Sequence, residues 1–187
     1  MSRVPWWDGE LEYRSFGTPG APRAVVVLRT GDVSTIDPDV RVTSGFDVRI
    51  VAVGLDAPEL DDPPAFGGQT PAGLTLEALR GLLEREIPGA TVGLVGERSA
   101  GQIALHLAAA MGPVVDRLAI VGVESPTDPL SRDLHTPLLD DVVADTLVVV
   151  GGAGPAGTHD AEWYSRRIPS ARVEVIDAED LDTLNGH

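Results

Sequence analysis

The 187-residue sequence has no cysteine. That excludes a disulfide framework, a thiol nucleophile and any metal site built on thiolates. Lysine is absent too, so all 14 basic residues are arginine. They stand against 29 acids, which leaves a net charge of -15. Nucleic acids and anionic membranes are held by basic patches, so neither is expected as a partner. No apolar run approaches the length of a membrane span. The opening residues, "MSRVPWWDGELEYRS", contain no apolar h-region. No signal peptide is expected, and a cytoplasmic location follows as the expectation. Neither a metal nor an organic cofactor is expected. Histidine is scarce, with 4 in the chain, so general bases are few.

What is present is a regular alternation. Short β-branched runs bounded by turn residues read as buried strands: 24–28, 48–53, 92–95, 118–121, 146–150 and 172–176. Near-continuous apolar strands of this kind point to a parallel sheet covered on both faces. Residues 10–16 alternate and read as an antiparallel lead-in strand. Helical spacing links Leu76, Leu79, Leu82 and Leu83 within 74–86, with Pro88 closing the segment. A second helix over 99–111 carries Ile103, Leu107 and Met111 on one stripe. A third is expected over 159–168, with Thr158 as its N-cap and Asp160 and Glu162 in its first turn. The stretch 57–73 is rich in Pro, Gly and Asp and reads as a surface loop. The content, 43% hydrophobic, suits one domain over residues 1–187: an α/β fold with a mostly parallel central sheet flanked by helices.

The sharpest feature is "VGLVGERSAGQIALHLAAAMG", residues 92–112. A strand enters a glycine-containing turn and leaves as an apolar helix. Together with "DGELEYRSFGTPGAP", "FDVRIVAVGLDAP", "DTLVVVGGAGP" and "IPSARVEVIDA" in this order, it resembles the α/β-hydrolase family over nearly the whole chain. In that family a nucleophilic serine sits at the strand-to-helix tip in G-x-S-x-G, and an acid and a histidine follow.

The resemblance implies two registers for the tip. With Gly96 as the first glycine, Arg98 takes the nucleophile's position and Ala100 replaces the second glycine. With Ser99 as the nucleophile, Gly101 fits but Glu97 displaces the first glycine. The flanking "LVG" and the "IAL" step at Ile103, Ala104 and Leu105 match the family spacing from Arg98, so Arg98 is expected at the tip. The other functional places depart as well. Gly154 stands where the family has its acid. Glu179, Asp180 or Leu181 stands near the histidine's place, and Arg29-Thr30-Gly31 replaces the His-Gly of the oxyanion loop. The segment 123–145 is too short for a substantial cap domain. The family's usual last helix is not apparent after Ile176, so an exposed flank and a homodimer are expected, with Trp6 and Trp7 either at that interface or packed on the core.

These departures predict a hydrolase scaffold that has lost the hydrolase site. Arginine stays protonated and is no nucleophile, and a serine needs a neighbouring base. His106, His135 and His159 read as solvated or structurally bonded. His187, at the chain end, is the histidine a long loop could return to the site. Arg98 has two readings. It could bind an anion at the start of the helix, or it could form an ion pair with Glu97 or Asp180, which the acidic surroundings favour.

Three functions are therefore open. The first is a non-catalytic protein that binds a small molecule or a protein partner, with Arg29, Thr30, Glu97, Arg98 and Ser99 as the ligand-contacting candidates. The second is an esterase or thioesterase using Ser99 in the shifted register, with Asp177, Asp180 or His187 recruited. The third is a lyase or cyclase using Arg98 and nearby acids. The first is ranked highest, and the catalytic candidates across the readings are Ser99, Arg98, Asp180 and His187.

Overall fold

The structure, a computed structural model, describes residues 2–6, 9–34, 36–38, 41, 45–55, 71–126, 136, 138–151 and 155–176. In chain order the elements are β1 (Ser2–Trp6), β2 (Gly9–Gly17), β3 (Arg23–Thr30), β4 (Val48–Leu55), α1 (Pro71–Glu86), β5 (Thr91–Glu97), α2 (Ala100–Met111), β6 (Val115–Val121), β7 (Asp145–Gly151), α3 (Pro155–Ser165) and β8 (Arg172–Ile176). One eight-stranded sheet runs β1-β2-β4-β3-β5-β6-β7-β8. The β1–β2 and β2–β4 pairs are antiparallel, and the remaining pairs are parallel. This is the α/β fold with a mostly parallel central sheet that the alternation predicts. The antiparallel lead-in strand is β2, paired with β4. β1 precedes it.

The helices cover one sheet face closely. α2 packs on β3, β5 and β6, and α3 packs on β7 and β8. Facing them are Ala24, Val26 and Leu28 of β3, Val92 and Leu94 of β5, and Leu118 and Ile120 of β6, all buried. The predicted helix stripes join this core: Leu76, Leu79, Leu82 and Leu83 of α1, and Ile103 and Leu107 of α2. The opposite face differs from the expectation of two fully covered faces. Val25, Val27, Val95, Ala119, Val121 and Leu147 alternate with the core positions and are only half-buried. The apolar runs in β3 and β6 thus hide a one-sided pattern, because valine and alanine serve on both faces.

Two element boundaries also change. α3 begins at Pro155, so Thr158 lies inside the helix rather than capping it. Asp160 and Glu162 therefore fall beyond the first turn. Proline at a helix start loses nothing, since its missing N–H would have no partner there anyway. Of the expected loop 57–73, residues 71–73 already belong to α1, and 57–70 lie outside the described residues. So does Trp7.

Two polar clusters tie the layers together. Glu86, at the end of α1, accepts from the Tyr13 hydroxyl at 2.9 Å and from Arg49 at 2.9 Å, which clamps the helix to β2 and β4. On the other side the buried Tyr164 of α3 donates to the Glu124 carbonyl at 3.0 Å and accepts from Gln102 of α2 at 2.9 Å. Burial pushes its phenol well above the usual range, so it is a permanent donor. Asp160 accepts from both the N–H and the hydroxyl of Ser125. Among the described residues no helix is long and apolar enough to cross a membrane.

Candidate functional site at the strand-to-helix turn

The parallel strands end along one edge, where ligand sites in such sheets usually lie, and the candidate site is at that edge. β5 ends at Glu97 and α2 starts at Ala100, so two residues make the turn. Arg98 has φ 51, in the left-handed region. Ser99 has φ -62 and ψ -31, already right-handed helical, and is the residue before the helix. The tip of the turn is therefore Arg98. Its N–H donates to the Val121 carbonyl at 2.8 Å, and its own carbonyl accepts from Gly101 at 3.0 Å. One bond anchors the turn to β6 and the other starts the helix.

Two glycines permit this reversal. A Cβ on Gly96 would lie 2.6 Å from the Ala104 Cβ and 2.6 Å from the Gly101 Cα. A Cβ on Gly101 would lie 2.2 Å from a Val123 methyl. Both glycines are needed for the helix to approach the strand ends.

Arg29, Thr30, Glu97 and Arg98 line one recess of about 180 Å³. Arg29 and Glu97 reach it because Leu28 pairs with Gly96, which sets the next residues of β3 and β5 side by side on the half-covered face. Arg29 Nε lies 4.0 Å from Glu97 Oε2, with side-chain exposures of 18% and 20%. Burial raises the Glu97 carboxyl above its ordinary range, and the charges of Arg29 and Arg98 work against that rise. Of the two acids expected beside Arg98, Glu97 is near enough to feel its charge and makes an ion pair with Arg29. Asp180 and His187 lie outside the described residues, as do His135, Gly154, Asp177, Glu179 and Leu181.

The loop after β3 is occupied with its own bonding. The Gly31 N–H donates to the Leu55 carbonyl at 3.0 Å. Asp32 accepts from the N–H and the hydroxyl of Ser34, and these bonds hold its carboxyl below the usual range. Arg14 reaches over from β2 to the carbonyls of Ser34 and Ile36 at 2.5 Å and 2.7 Å. His106 is buried along α2, and His159 is exposed on α3. Among the described residues, no group of three or more metal-ligating side chains comes together.

The turn at Arg98, the two glycines beside it and the strand order together decide the architecture. The chain has the α/β-hydrolase fold. Solved structures agree across almost its full length. An enol-lactonase from Burkholderia xenovorans LB400 superposes with TM-score 0.68 at 15% identity, covering 99% of this chain and 96% of the lactonase. The thioesterase domain from the curacin biosynthetic pathway gives 0.69 at 10% identity, with coverage of 99% and 96%. A proline iminopeptidase from Mycobacterium smegmatis gives 0.63 at 14%, with 99% and 94%. No protein-family model and no curated protein sequence matches the chain. At these identities the α/β-hydrolase likeness establishes the fold, and function must be argued from the site.

Tyr164 and Gln102 escaped the sequence reading. Their signal is weak, because a tyrosine in "AEWYS" and a glutamine in "AGQIA" mark a buried bond only once α2 and α3 are known to meet the loop after β6.

Proposed function

We propose that this α/β-hydrolase-fold protein does not hydrolyse esters and instead binds a small molecule through an anionic group at the Arg98 turn. The observation that carries this reading is the backbone of the turn: Arg98 takes the left-handed tip position and Ser99 the helical one. In this fold the tip residue presents its side chain to the substrate. A guanidinium there cannot attack a carbonyl, because it keeps its proton. It is suited to a carboxylate or phosphate, with its five donors and the N-terminal end of α2 beside it.

The recess fits the proposal in size and charge. About 180 Å³ accommodates a small acid or the head of a larger ligand. Arg29 supplies a second cation at its wall, and Glu97 partly neutralises the pair. The test is calorimetric titration with a panel of small carboxylates and inorganic phosphate. The proposal predicts saturable binding of at least one, abolished by Arg98→Ala. Binding that survives Arg98→Ala, or no binding across the panel, contradicts it.

A second reading is supported by the activities named for the structural neighbours, which are hydrolytic. In it, Ser99 acts as a nucleophile from the first position after the tip. It requires a base within hydrogen-bond reach of Ser99, and active-site labelling separates the two readings.

A further inference from the structure

Among the described residues the sheet ends at β8, and β8 is built differently from the other parallel strands. Arg172, Val173, Glu174 and Val175 are all exposed, so neither face is buried. Val173 is 36% and Val175 55% exposed. Its pairing with β7 runs without a bulge from Arg172 to Ile176. The strand contains no proline, a residue that proteins place on free edges to prevent association. What it carries instead is one charge of each sign. Arg172 and Glu174 share a face of the strand, and neither side chain has a hydrogen-bond or ion-pair partner among the described residues.

We propose that β8 is a self-recognition edge: it pairs antiparallel with β8 of a second copy, in the register that places Val173 on the two-fold axis. Charge complementarity selects that register. A two-fold axis perpendicular to the sheet sets residue Arg172 of one copy opposite Glu174 of the other, twice. On the opposite face Val173 meets its own counterpart, and Val175 meets Ala171. Moving the axis to Glu174 sets two carboxylates opposite each other. Moving it to Arg172 sets two guanidiniums opposite each other. Like charges directly opposed across strands are destabilising. Moving it to Val175 leaves Glu174 opposite Ile176 and Arg172 beyond the paired stretch. The Val173 register alone satisfies both charges and buries both valines. It also meets the isologous requirement of a closed dimer, in which each contact occurs twice. With a net charge of -15, association between copies needs such a local pairing to offset their general repulsion.

The test is sedimentation velocity on the full chain at about 0.15 M salt, with Arg172→Glu, Glu174→Arg and an equimolar mixture of the two variants. Both positions are exposed, so far-UV circular dichroism should show each variant folded. The wild type is expected to be a dimer. Each single variant opposes like charges twice and should raise the dissociation constant about tenfold or more. In the mixture every pair across the interface is again of opposite sign, so the heterodimer should form with wild-type affinity. A wild type that stays monomeric at all concentrations overturns the proposal. So do single variants that dimerise like the wild type, and so does a mixture that stays monomeric.

Discussion

Gly96 and Gly101 face each other across the strand-to-helix junction with no room for a methyl group between them. A Cβ on Gly96 would stand 2.6 Å from the Gly101 Cα and 2.6 Å from the Ala104 Cβ. Neither neighbour is the far end of a flexible side chain, so α2 itself would have to move. Gly96→Ala should therefore destabilise the fold by about 3 kcal/mol, the upper part of the range for forced overpacking. Urea unfolding measures it. A change within about 0.5 kcal/mol, as at an ordinary surface site, would show that the helix does not approach the strand this closely.

Arg98 holds a left-handed backbone, which costs a residue with a Cβ about 1–2 kcal/mol. Glycine escapes that cost. Arg98→Gly should therefore be more stable than Arg98→Ala by about 1 kcal/mol, although glycine loses more chain entropy on folding. Comparing two truncations removes the arginine's own contacts from both sides. Equal denaturation midpoints would mean that the turn relaxes to a right-handed conformation.

Glu97 has a folded-state affinity for protons above its ordinary one, chiefly because burial disfavours its charge. The native state therefore binds more protons than the unfolded state just above the ordinary value of 4.5. Stability should fall as pH rises from there through the raised folded value, and it levels off beyond. Glu97→Gln removes this contribution. The difference between the wild-type and variant melting curves across that window should show wild-type stability declining relative to the variant as pH rises. A difference that is flat, or that rises with pH, would mean the pair with Arg29 dominates over burial.

Tyr164 bonds both Glu124 and Gln102 from a fully buried position. Tyr164→Phe keeps the ring and removes the hydroxyl. Gln102 still donates to the Glu124 carbonyl at 3.2 Å, so neither partner is left unsatisfied. The expected loss is about 0.5–1.5 kcal/mol rather than the larger cost of an orphaned buried group. A loss well above that range in thermal unfolding would show that the hydroxyl organises more of the α2–α3 contact than these bonds account for.

The α/β alternation was readable because strands and helices impose different apolar periods, and Leu76, Leu79, Leu82 and Leu83 keep theirs without interruption. The lead-in strand was readable for the same reason, and β8 was readable as a strand but not as an exposed one, because its valines match those of a buried strand. The half-covered face was not. Val25, Val27 and Val121 look as buried in the sequence as Val26 or Ile120, although the first three are only half-buried, since valine serves on either face. The start of α3 was misplaced because Thr158 offers a conventional cap while Pro155 offers a less obvious start. At the site, the flanking phrases pointed to Arg98 as the turn residue, and its φ of 51 agrees. Sequence spacing could not foresee that Glu97 pairs with Arg29, because that contact is made by strand order: β3 and β5 are neighbours in the sheet although far apart in the chain.

The most direct measurement is intact mass after treatment with a fluorophosphonate probe of serine hydrolases, on the wild type and on Ser99→Ala. A turn with Arg98 at its tip and Ser99 in the helix is predicted to give no adduct on folded protein, beside a control hydrolase that labels fully. A single adduct that disappears in Ser99→Ala would contradict the account and identify Ser99 as an activated nucleophile.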